Sequence, residues 1–333
     1  MFVEIKNHGH KIKEIRLTSK NGQIVSFLNV GATLYRWVTL QKREIVARYD
    51  NIDDYLTNQM SFGTTVGMNS GRIENGEFVL EGVKYRTPNK ETHFLHGGED
   101  RLSLRFFDFE LFQRNDGVEI IFTHEYSHSI LPGTQLVSVK YLVKENDILV
   151  TYDVTTDKTG LCNLTNHTYF NLDGDFLSSI DHHEIQIPAS KVVIIDDEMI
   201  GRKVTDVEGT DFDFRVQKDV YKPMQNVDSM FPKVRGIDHY FLLDHPCSKL
   251  YSRKTKTLLK VKTTLPGVTV YTTNYPNQEW IQTKNPLGLH HAICLEPQYQ
   301  SNAINDHRFE VGIVTVKRPY HHEIEYTLEE NVQ

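Results

Sequence analysis

The chain has 333 residues, of which 39% are hydrophobic and 11% aromatic, and its formal net charge is −7. A composition of this kind can bury a large core, which excludes an intrinsically disordered chain. Acidic and basic residues are mixed and form no basic block, so we expect neither nucleic acid nor an anionic membrane as a partner.

The predicted elements are short β-strands, rich in β-branched and aromatic residues, along most of the chain. In chain order the predicted strands span residues 23–29, 33–40, 44–49, 106–112, 118–122, 136–143, 148–154, 184–188, 257–264, 268–274, 291–297 and 322–328. A hairpin is predicted at RNDG (114–117), since Asp-Gly tolerates positive φ, and another at KEND (144–147).

A sustained helical period is missing, and the segment 195–230 is rich in turns. The pattern therefore predicts one all-β domain over residues 1–333, built as a large antiparallel β-sandwich. Exposed edges of so large a sheet would also allow a homodimer.

The three cysteines indicate a cellular location. Cys162, Cys247 and Cys294 are far apart and form no CxxC pair. This spacing fits a reducing compartment better than a disulfide framework. The first residues contain no apolar signal segment, and no window approaches the length of a membrane span. We therefore expect a cytoplasmic protein.

The segment NLTNHTYFNLDG, residues 163–174, is predicted as a strand with a histidine at its centre. Period-two alternation puts four side chains on one face: Thr165, His167, Tyr169 and Asn171. That face has no aliphatic member, which a ligand-lined surface would explain. Taken alone, however, the pattern favours a solvated face with His167 as an exposed polar residue.

A second candidate lies in HAICLEPQ, residues 291–298. Alternation puts four side chains together: Ala292, Cys294, Glu296 and Gln298. Glu296 thus ends an otherwise apolar strand face that we expect to be buried. Apolar surroundings raise the pKa of a carboxyl group and make it a better base near neutral pH. A strand-end glutamate in a surface ion pair explains the same residue equally well.

Two further stretches gather polar groups beside turns. His96 directly precedes a double glycine, where backbone can approach a ligand closely. Asp238 lies two residues after Gly236, at the start of an aromatic-rich strand. Ordinary turn chemistry explains each of them as well.

Metal and nucleotide sites have little support. The adjacent histidines at 182–183, 290–291 and 321–322 would point to opposite faces of a strand, so they cannot chelate as a unit. HExxH and clustered cysteines are absent, and so we expect no metal. No Walker A, GxGxxG or GxSxG motif indicates a nucleotide cofactor or a serine hydrolase.

The candidate residues lie in stretches that resemble the aldose 1-epimerase (galactose mutarotase) family. In the family's order, the matching stretches are GRI…GEF (71–78), LHGG (95–98), NLTNHTYFNL (163–172), VEGTDFDF (207–214), GIDH (236–239), PGV…YT (266–272) and LEPQ (295–298). The stretch at 163–172 is the most specific. The resemblance implies a galactose mutarotase-like β-supersandwich, in agreement with the strand pattern, and an isomerase that needs no cofactor.

The resemblance also implies roles for five residues. His167 corresponds to the general acid of the family and Glu296 to its general base. Arg72, His96 and Asp238 correspond to residues that hold sugar hydroxyls. The expected partner is therefore a monosaccharide, whose α and β anomers interconvert through ring opening by an acid and a base.

The sequence departs from the family pattern in four places. LEPQ (295–298) replaces the commoner LETQ, and EDRLSLRFFD (99–108), which follows LHGG, lacks the usual Gly-Phe and tryptophan. Gly71 stands where many members have Asn, and Thr269 stands where animal-type members have a Gln that touches the sugar. Tyr169 and Tyr240 are candidates for the aromatic walls of the cleft.

Two alternatives to a free-hexose epimerase stay open. A hexose-6-phosphate 1-epimerase would need an arginine cluster at one end of the cleft, and Arg101 and Arg105 are the candidates. A non-catalytic sugar-binding protein on the same fold needs no acid–base pair, so the presence of both His167 and Glu296 argues against it.

Overall fold

The computed structural model describes residues 1–87, 92–226 and 231–332. The strands of the first half are β1 Phe2–Asn7, β2 Lys13–Thr18, β3 Ile24–Leu28, β4 Thr33–Val38, β5 Thr65–Val66, β6 Arg72–Ile73, β7 Glu77–Leu80, β8 Val83–Arg86, β9 Phe94–Leu95, β10 Asp108–Gln113, β11 Val118–Ser127, β12 Thr134–Val143, β13 Asp147–Thr156, β14 Gly160–Leu161, β15 Thr165–Asn166 and β16 Tyr169–Phe170.

The strands of the second half are β17 His183–Gln186, β18 Lys191–Ile195, β19 Gly201–Asp206, β20 Lys218–Asp219, β21 Asp238–Leu242, β22 Cys247–Ser252, β23 Thr257–Thr263, β24 Gly267–Tyr271, β25 Trp280–Ile281, β26 Asn285–Pro286, β27 Ile293–Gln298, β28 Ile313–Val314 and β29 Tyr320–Glu329. Short 3₁₀ helices lie at Ile52–Leu56, Glu74–Gly76, Gly98–Asp100, Leu102–Leu104, Lys222–Gln225, Phe231–Val234 and Ala303–Asn305. In the described parts of the chain, no helix has the length and apolar character needed to span a bilayer.

Three antiparallel sheets hold most of these strands. A four-stranded sheet has the order β1-β2-β3-β4, and a nine-stranded sheet has the order β10-β11-β12-β13-β29-β23-β22-β17-β20. A six-stranded sheet has the order β16-β27-β24-β21-β18-β19. Both predicted hairpins are present, one joining β10 to β11 and the other joining β12 to β13. The all-β, antiparallel prediction is confirmed.

The nine-stranded and six-stranded sheets share one hydrophobic core. Val139 of β12 and Ile324 of β29 belong to the same buried cluster as Leu295 of β27. The Phe170 ring of β16 lies 5.7 Å from the Tyr326 ring of β29, measured between centroids. Burial of apolar surface stabilises a fold by roughly 25 cal/mol per Å², so this shared core is a main source of stability and makes the two sheets a sandwich.

The strand prediction was wrong at several places. Residues 44–49, all of which the structure describes, form isolated bridges at Glu44, Val46 and Tyr49 instead of a strand. The prediction also missed β1, β2, β18, β19 and β22, whereas the strand expected to start beside Asp238 is present as β21. The turn-rich segment 195–230 contains β19 and β20, and its residues 227–230 lie outside the described residues.

Candidate active site

A cleft of about 440 Å³ opens on the face of the six-stranded sheet that points away from the shared core. Residues two apart in a strand point the same way, so four neighbouring strands give alternate side chains to the cleft floor. These are Glu296 and Gln298 of β27, Thr269 and Tyr271 of β24, Asp238 and Tyr240 of β21, and Val193 and Ile195 of β18. Further lining side chains are Arg72, His96, His167 and Tyr169. The five residues with implied roles therefore meet in one cleft.

His167 does not lie in the middle of a strand, and the predicted strand over 163–174 was wrong in this respect. The chain changes partner there: β15 pairs with β5, whereas β16 pairs with β27. The His167 backbone bonds to the loop before β5, since its N–H donates to the Thr64 carbonyl and its carbonyl accepts from the Gly63 N–H, both at 2.9 Å. The break directs the imidazole into the cleft.

The predicted polar face of this segment is accordingly split. His167 and Tyr169 line the cleft, while Thr165 is fully buried elsewhere. The Asn171 amide donates to the backbone carbonyls of Asp175 and His291, each at 2.9 Å, so its role is structural. The face is not solvated, since His167 is only 6% exposed.

Aromatic rings hold the imidazole of His167. The Tyr169 ring stacks on it with 5.0 Å between centroids and 16° between planes, and the Tyr169 hydroxyl donates to the Met60 carbonyl at 3.1 Å. The His96 ring meets it edge-on at 5.5 Å. Tyr169 and Tyr240 both line the cleft, as predicted. The packing restricts the orientations that His167 can adopt.

His167 and Glu296 form a buried pair at the cleft floor. Nε2 of His167 lies 3.6 Å from Oε1 of Glu296. Burial raises the pKa of Glu296 well above its ordinary value, and the charge of Asp238 raises it further. Burial lowers the pKa of His167 to about 4. The sequence-based expectation of a buried Glu296 with a raised pKa is confirmed, and the alternative of a surface ion pair is wrong.

Arg72 and His96 are brought together by the pairing of β6 with β9, in which Arg72 lies opposite Leu95. The backbone N–H of His96 donates to the Gly71 carbonyl, and the ring atom Nδ1 of His96 accepts from the backbone N–H of Gly71, both at 3.1 Å. Because Nδ1 is the acceptor, the proton of the neutral ring is on Nε2. Burial lowers the pKa of His96 well below its ordinary value, which favours this neutral form.

Gly71 has a structural reason to differ from the usual family residue. Its φ is +73°, and a Cβ at this position would lie 1.9 Å from Oγ of Ser301. A side chain here would therefore clash with Ser301, which also lines the cleft. The glycine lets the segment before Arg72 lie against the chain that follows β27.

Asp238 lies opposite Tyr271 in the pairing of β21 with β24. Burial raises the pKa of Asp238, and the nearby positive charge of Arg72 opposes that shift. Its backbone N–H donates to Nδ1 of His239 at 3.1 Å. The strand thus directs the carboxyl group into the cleft, where the charge of Arg72 acts on it.

The arginine cluster considered for a phosphate group is not in the cleft. Arg101 donates to the Thr57 carbonyl at 2.6 Å, and Arg105 pairs with Asp100 at 2.8 Å. Among the lining residues that the structure describes, Arg72 is the only lysine or arginine.

Sequence reasoning missed several lining residues. Tyr271 shares a strand face with Thr269, and alternation along the predicted strand 268–274 could have indicated it. Met199 comes from the turn between β18 and β19, and Gly201 from the start of β19; neither of these strands was predicted. Gln300 follows β27 and carries no motif signal.

Cys294 adds a third group that could bind a metal with the pair. Its Sγ lies 3.6 Å from Nδ1 of His167, and one ligand atom each of His167, Cys294 and Glu296 lie within 4.8 Å of one another. These donor types suit zinc. Burial raises the pKa of the Cys294 thiol, so binding would first require its deprotonation. The expectation of no metal stays a prediction.

Together, the fold and the cleft define an acid–base enzyme for a small polar molecule. A family model described as aldose 1-epimerase matches residues 13–327, and the chain belongs to the aldose 1-epimerase family. It is an isomerase that acts on carbohydrates.

Named relatives and solved structures agree with this assignment. The galactose mutarotase of Rattus norvegicus is 29% identical over 97% of this chain and 95% of its own length. The aldose 1-epimerase of Haemophilus influenzae is 32% identical over 78% of each chain. The crystal structure of galactose 1-epimerase from Lactobacillus acidophilus NCFM has a TM-score of 0.88 and 24% identity, and covers 99% of both chains. The galactose mutarotase-like fold is therefore confirmed.

Proposed function

We propose that the protein interconverts the α and β anomers of a free hexose, such as glucose or galactose, by opening and closing the sugar ring. The observation that carries this proposal is the buried pair of His167 and Glu296, with 3.6 Å between Nε2 and Oε1, at the floor of a polar cleft. The names of the relatives, galactose mutarotase and aldose 1-epimerase, support the same reaction.

In the proposed reaction Glu296 is the base and His167 the acid. The Glu296 carboxylate takes the proton of the anomeric hydroxyl while the His167 imidazolium gives a proton to the ring oxygen. The bond between the anomeric carbon and the ring oxygen breaks, and the anomeric carbon becomes an aldehyde. A half-turn of that group followed by the reverse transfers closes the ring on its other face. Each transfer contributes about 10²–10⁴-fold in rate.

For this reaction the His167–Glu296 pair needs one shared proton in addition to the proton that a neutral imidazole ring carries. Neutral imidazole with carboxylic acid holds the same number of protons as imidazolium with carboxylate. The raised pKa of Glu296 makes its carboxylate a stronger base, and the lowered pKa of His167 makes its imidazolium a stronger acid. Hydrogen bonds from a bound sugar to the charged groups favour the ionic arrangement.

Three groups are available to hold the sugar hydroxyls. Nε2–H of His96 and the guanidinium of Arg72 are donors, while the carboxyl oxygens of Asp238 are acceptors. A phosphate group would need several cations, and Arg72 is the single lysine or arginine among the described lining residues. This charge distribution supports a free sugar over a sugar phosphate. The unpaired state of all three cysteines supports a cytoplasmic location.

Polarimetry of freshly dissolved α-glucose and α-galactose tests the proposal. We expect the wild-type protein to bring both optical rotations to equilibrium faster than buffer, and the double variant His167→Asn/Glu296→Gln to match buffer. If the wild type accelerates neither sugar, the proposal is wrong. Faster equilibration of glucose 6-phosphate than of glucose would support the phosphate alternative instead, and sugar binding without acceleration would support a binding protein.

A further inference from the structure

Cys294 is a fully buried residue whose thiol contacts the imidazole ring of His167. Its Sγ lies 3.6 Å from Nδ1 of His167, whereas Nε2 of the same ring lies 3.6 Å from Oε1 of Glu296. In the pairing of β16 with β27, Cys294 lies opposite Tyr169, whose ring stacks on the imidazole. The two strands therefore place a thiol at one ring nitrogen of His167 and a carboxyl group at the other.

The proposed reaction requires one particular position for the proton of the neutral ring. The nitrogen that gives its proton to the ring oxygen of the sugar is Nε2, because Nε2 lies beside Glu296. After that transfer the ring keeps its other proton on Nδ1. A buried N–H group without an acceptor destabilises a structure, so Nδ1–H needs a hydrogen-bond partner.

Two acceptors are available to Nδ1–H. The first is the sulfur of Cys294, which can donate or accept a weak hydrogen bond and stays a neutral thiol because burial raises its pKa. The second is the backbone carbonyl of His167, which raises the pKa of its own ring against the effect of burial. Nδ1 is the ring nitrogen nearest to that carbonyl. A thiol that donated to Nδ1 would instead put the proton of the neutral ring on Nε2, which must be free to take a proton back.

We propose that Cys294 is a positioning residue for His167: its sulfur accepts a hydrogen bond from Nδ1–H and so keeps Nε2 as the nitrogen that exchanges a proton with the sugar. This inference rests on the proposed epimerase function. The neighbouring His96 has the opposite proton position, because its Nδ1 accepts from the backbone N–H of Gly71. Two imidazole rings with 5.5 Å between centroids thus differ in function, since His96 offers a fixed Nε2–H donor and His167 a nitrogen that gains and loses its proton.

Nitrogen-15 NMR of protein labelled in its histidines tests the proton position at pH 7, and His167→Asn identifies the signals of His167 by their loss. The comparison is made in Glu296→Gln, because a carboxamide can either donate to Nε2 or accept from it and so does not fix the proton. We expect Glu296→Gln to carry the proton mainly on Nδ1. Adding Cys294→Ala should shift the ratio of the two forms toward Nε2–H by about fivefold.

Cys162 offers a matched control, since it is also a fully buried free cysteine and lies in the shared core. Cys162→Ala removes the same atoms and should leave the proton position of His167 unchanged in Glu296→Gln. In the otherwise wild-type protein, Cys294→Ala should lower kcat about fivefold and leave KM within about twofold, because the sulfur acts through His167 and not on the sugar. Cys162→Ala should leave both constants unchanged when activity is normalised to folded protein.

Other outcomes would overturn the inference. A proton mainly on Nε2 in Glu296→Gln would show that the thiol does not accept from Nδ1–H. An unchanged ratio after Cys294→Ala would show that the backbone carbonyl alone holds the proton. A raised KM with unchanged kcat would mean that Cys294 shapes the sugar site instead. If wild type accelerates no sugar, the epimerase function fails separately, and the NMR comparison still decides whether Cys294 positions the proton of His167.

Discussion

The two faces of the six-stranded sheet share one backbone and differ in chemistry. One face packs on the nine-stranded sheet through Val192, Phe241, Val268, Val270, Ile293 and Leu295. The opposite face carries polar groups, of which Glu296 and Gln298 are buried. The first face is packed mainly with apolar side chains, whereas the second lines the cleft with polar groups that a ligand can contact. Substitutions at neighbouring residues of one strand should therefore have different effects, on activity for the cleft face and on the free energy of unfolding for the core face.

The largest effect should come from the cleft face. We expect His167→Asn and Glu296→Gln each to lower kcat by about 10²–10⁴-fold, since each removes one proton transfer. Stability should be retained. The pKa of Glu296 is raised in the folded state, so ionisation of this carboxyl group destabilises the fold. The protein therefore becomes less stable as pH rises from the ordinary pKa of a glutamate through the pKa of Glu296 in the folded state. Glu296→Gln should therefore be at least as stable as wild type at pH 8. Polarimetry and urea denaturation measure the two quantities, and a misfolded His167→Asn would contradict this assignment.

The next effect concerns the residue beside Glu296. Leu295 is fully buried in the shared core, so Leu295→Ala should lower the free energy of unfolding by about 2–5 kcal/mol. The folded fraction should still equilibrate the sugar, because the side chain points away from the cleft. Urea denaturation with activity normalised to folded protein checks this. A kcat loss as large as that of Glu296→Gln would mean that the two faces are not independent.

A buried histidine on the core side should make the fold sensitive to acid. His239 is 1% exposed beside the ring of Phe212, and burial lowers its pKa to about 3. Its neutral form contributes stability that is present above about pH 6.5 and is lost as pH falls toward 3. The limiting slope is about 1.4 kcal/mol per pH unit. Denaturation at pH 6.5 and 4.5 should show a smaller loss in His239→Gln than in wild type, and equal losses would exclude His239 as a cause.

The sequence predicted the cleft face better where alternation is visible. Ala292 and Cys294 share a strand face with Glu296, and this apolar pattern suggested a buried carboxyl group, although a surface ion pair explained the residue equally well. In β18, Val192 packs in the core and Val193 lines the cleft, so both faces are apolar and no alternation marks the strand. The exposed residues of β1 and β19 give no buried face to detect.

The break at His167 could not be read from the same pattern. Residues 163–174 alternate like a strand, but the backbone groups of His167 bond to Gly63 and Thr64, about a hundred residues earlier in the chain. The motif resemblance identified Arg72, His96 and Asp238 from the sequence. Hydrogen-bond partners that come from distant segments of the chain can be identified only from the structure.

A smaller effect should appear in the pH dependence of the cleft face. The pair needs one shared proton, so kcat/KM should fall below about pH 4, where His167 and Glu296 are both protonated. It should also fall as pH rises through the raised pKa of Glu296, where both have lost the shared proton. The charge of Asp238 contributes to that raised value. In Asp238→Asn the basic limb should therefore move to lower pH. A pH–rate profile measures it, and an unmoved limb would contradict the coupling.

The smallest expected effect tests whether the cleft works with protons alone. His167, Cys294 and Glu296 could together hold a divalent cation, yet the proposed steps move only protons between the pair and the sugar. Dialysis against EDTA should therefore leave kcat/KM unchanged within about twofold, and Cys294→Ser should respond in the same way. Loss of activity that zinc restores in wild type and not in Cys294→Ser would show that a metal completes the site. In that case Cys294 would belong to the reactive face of the sheet.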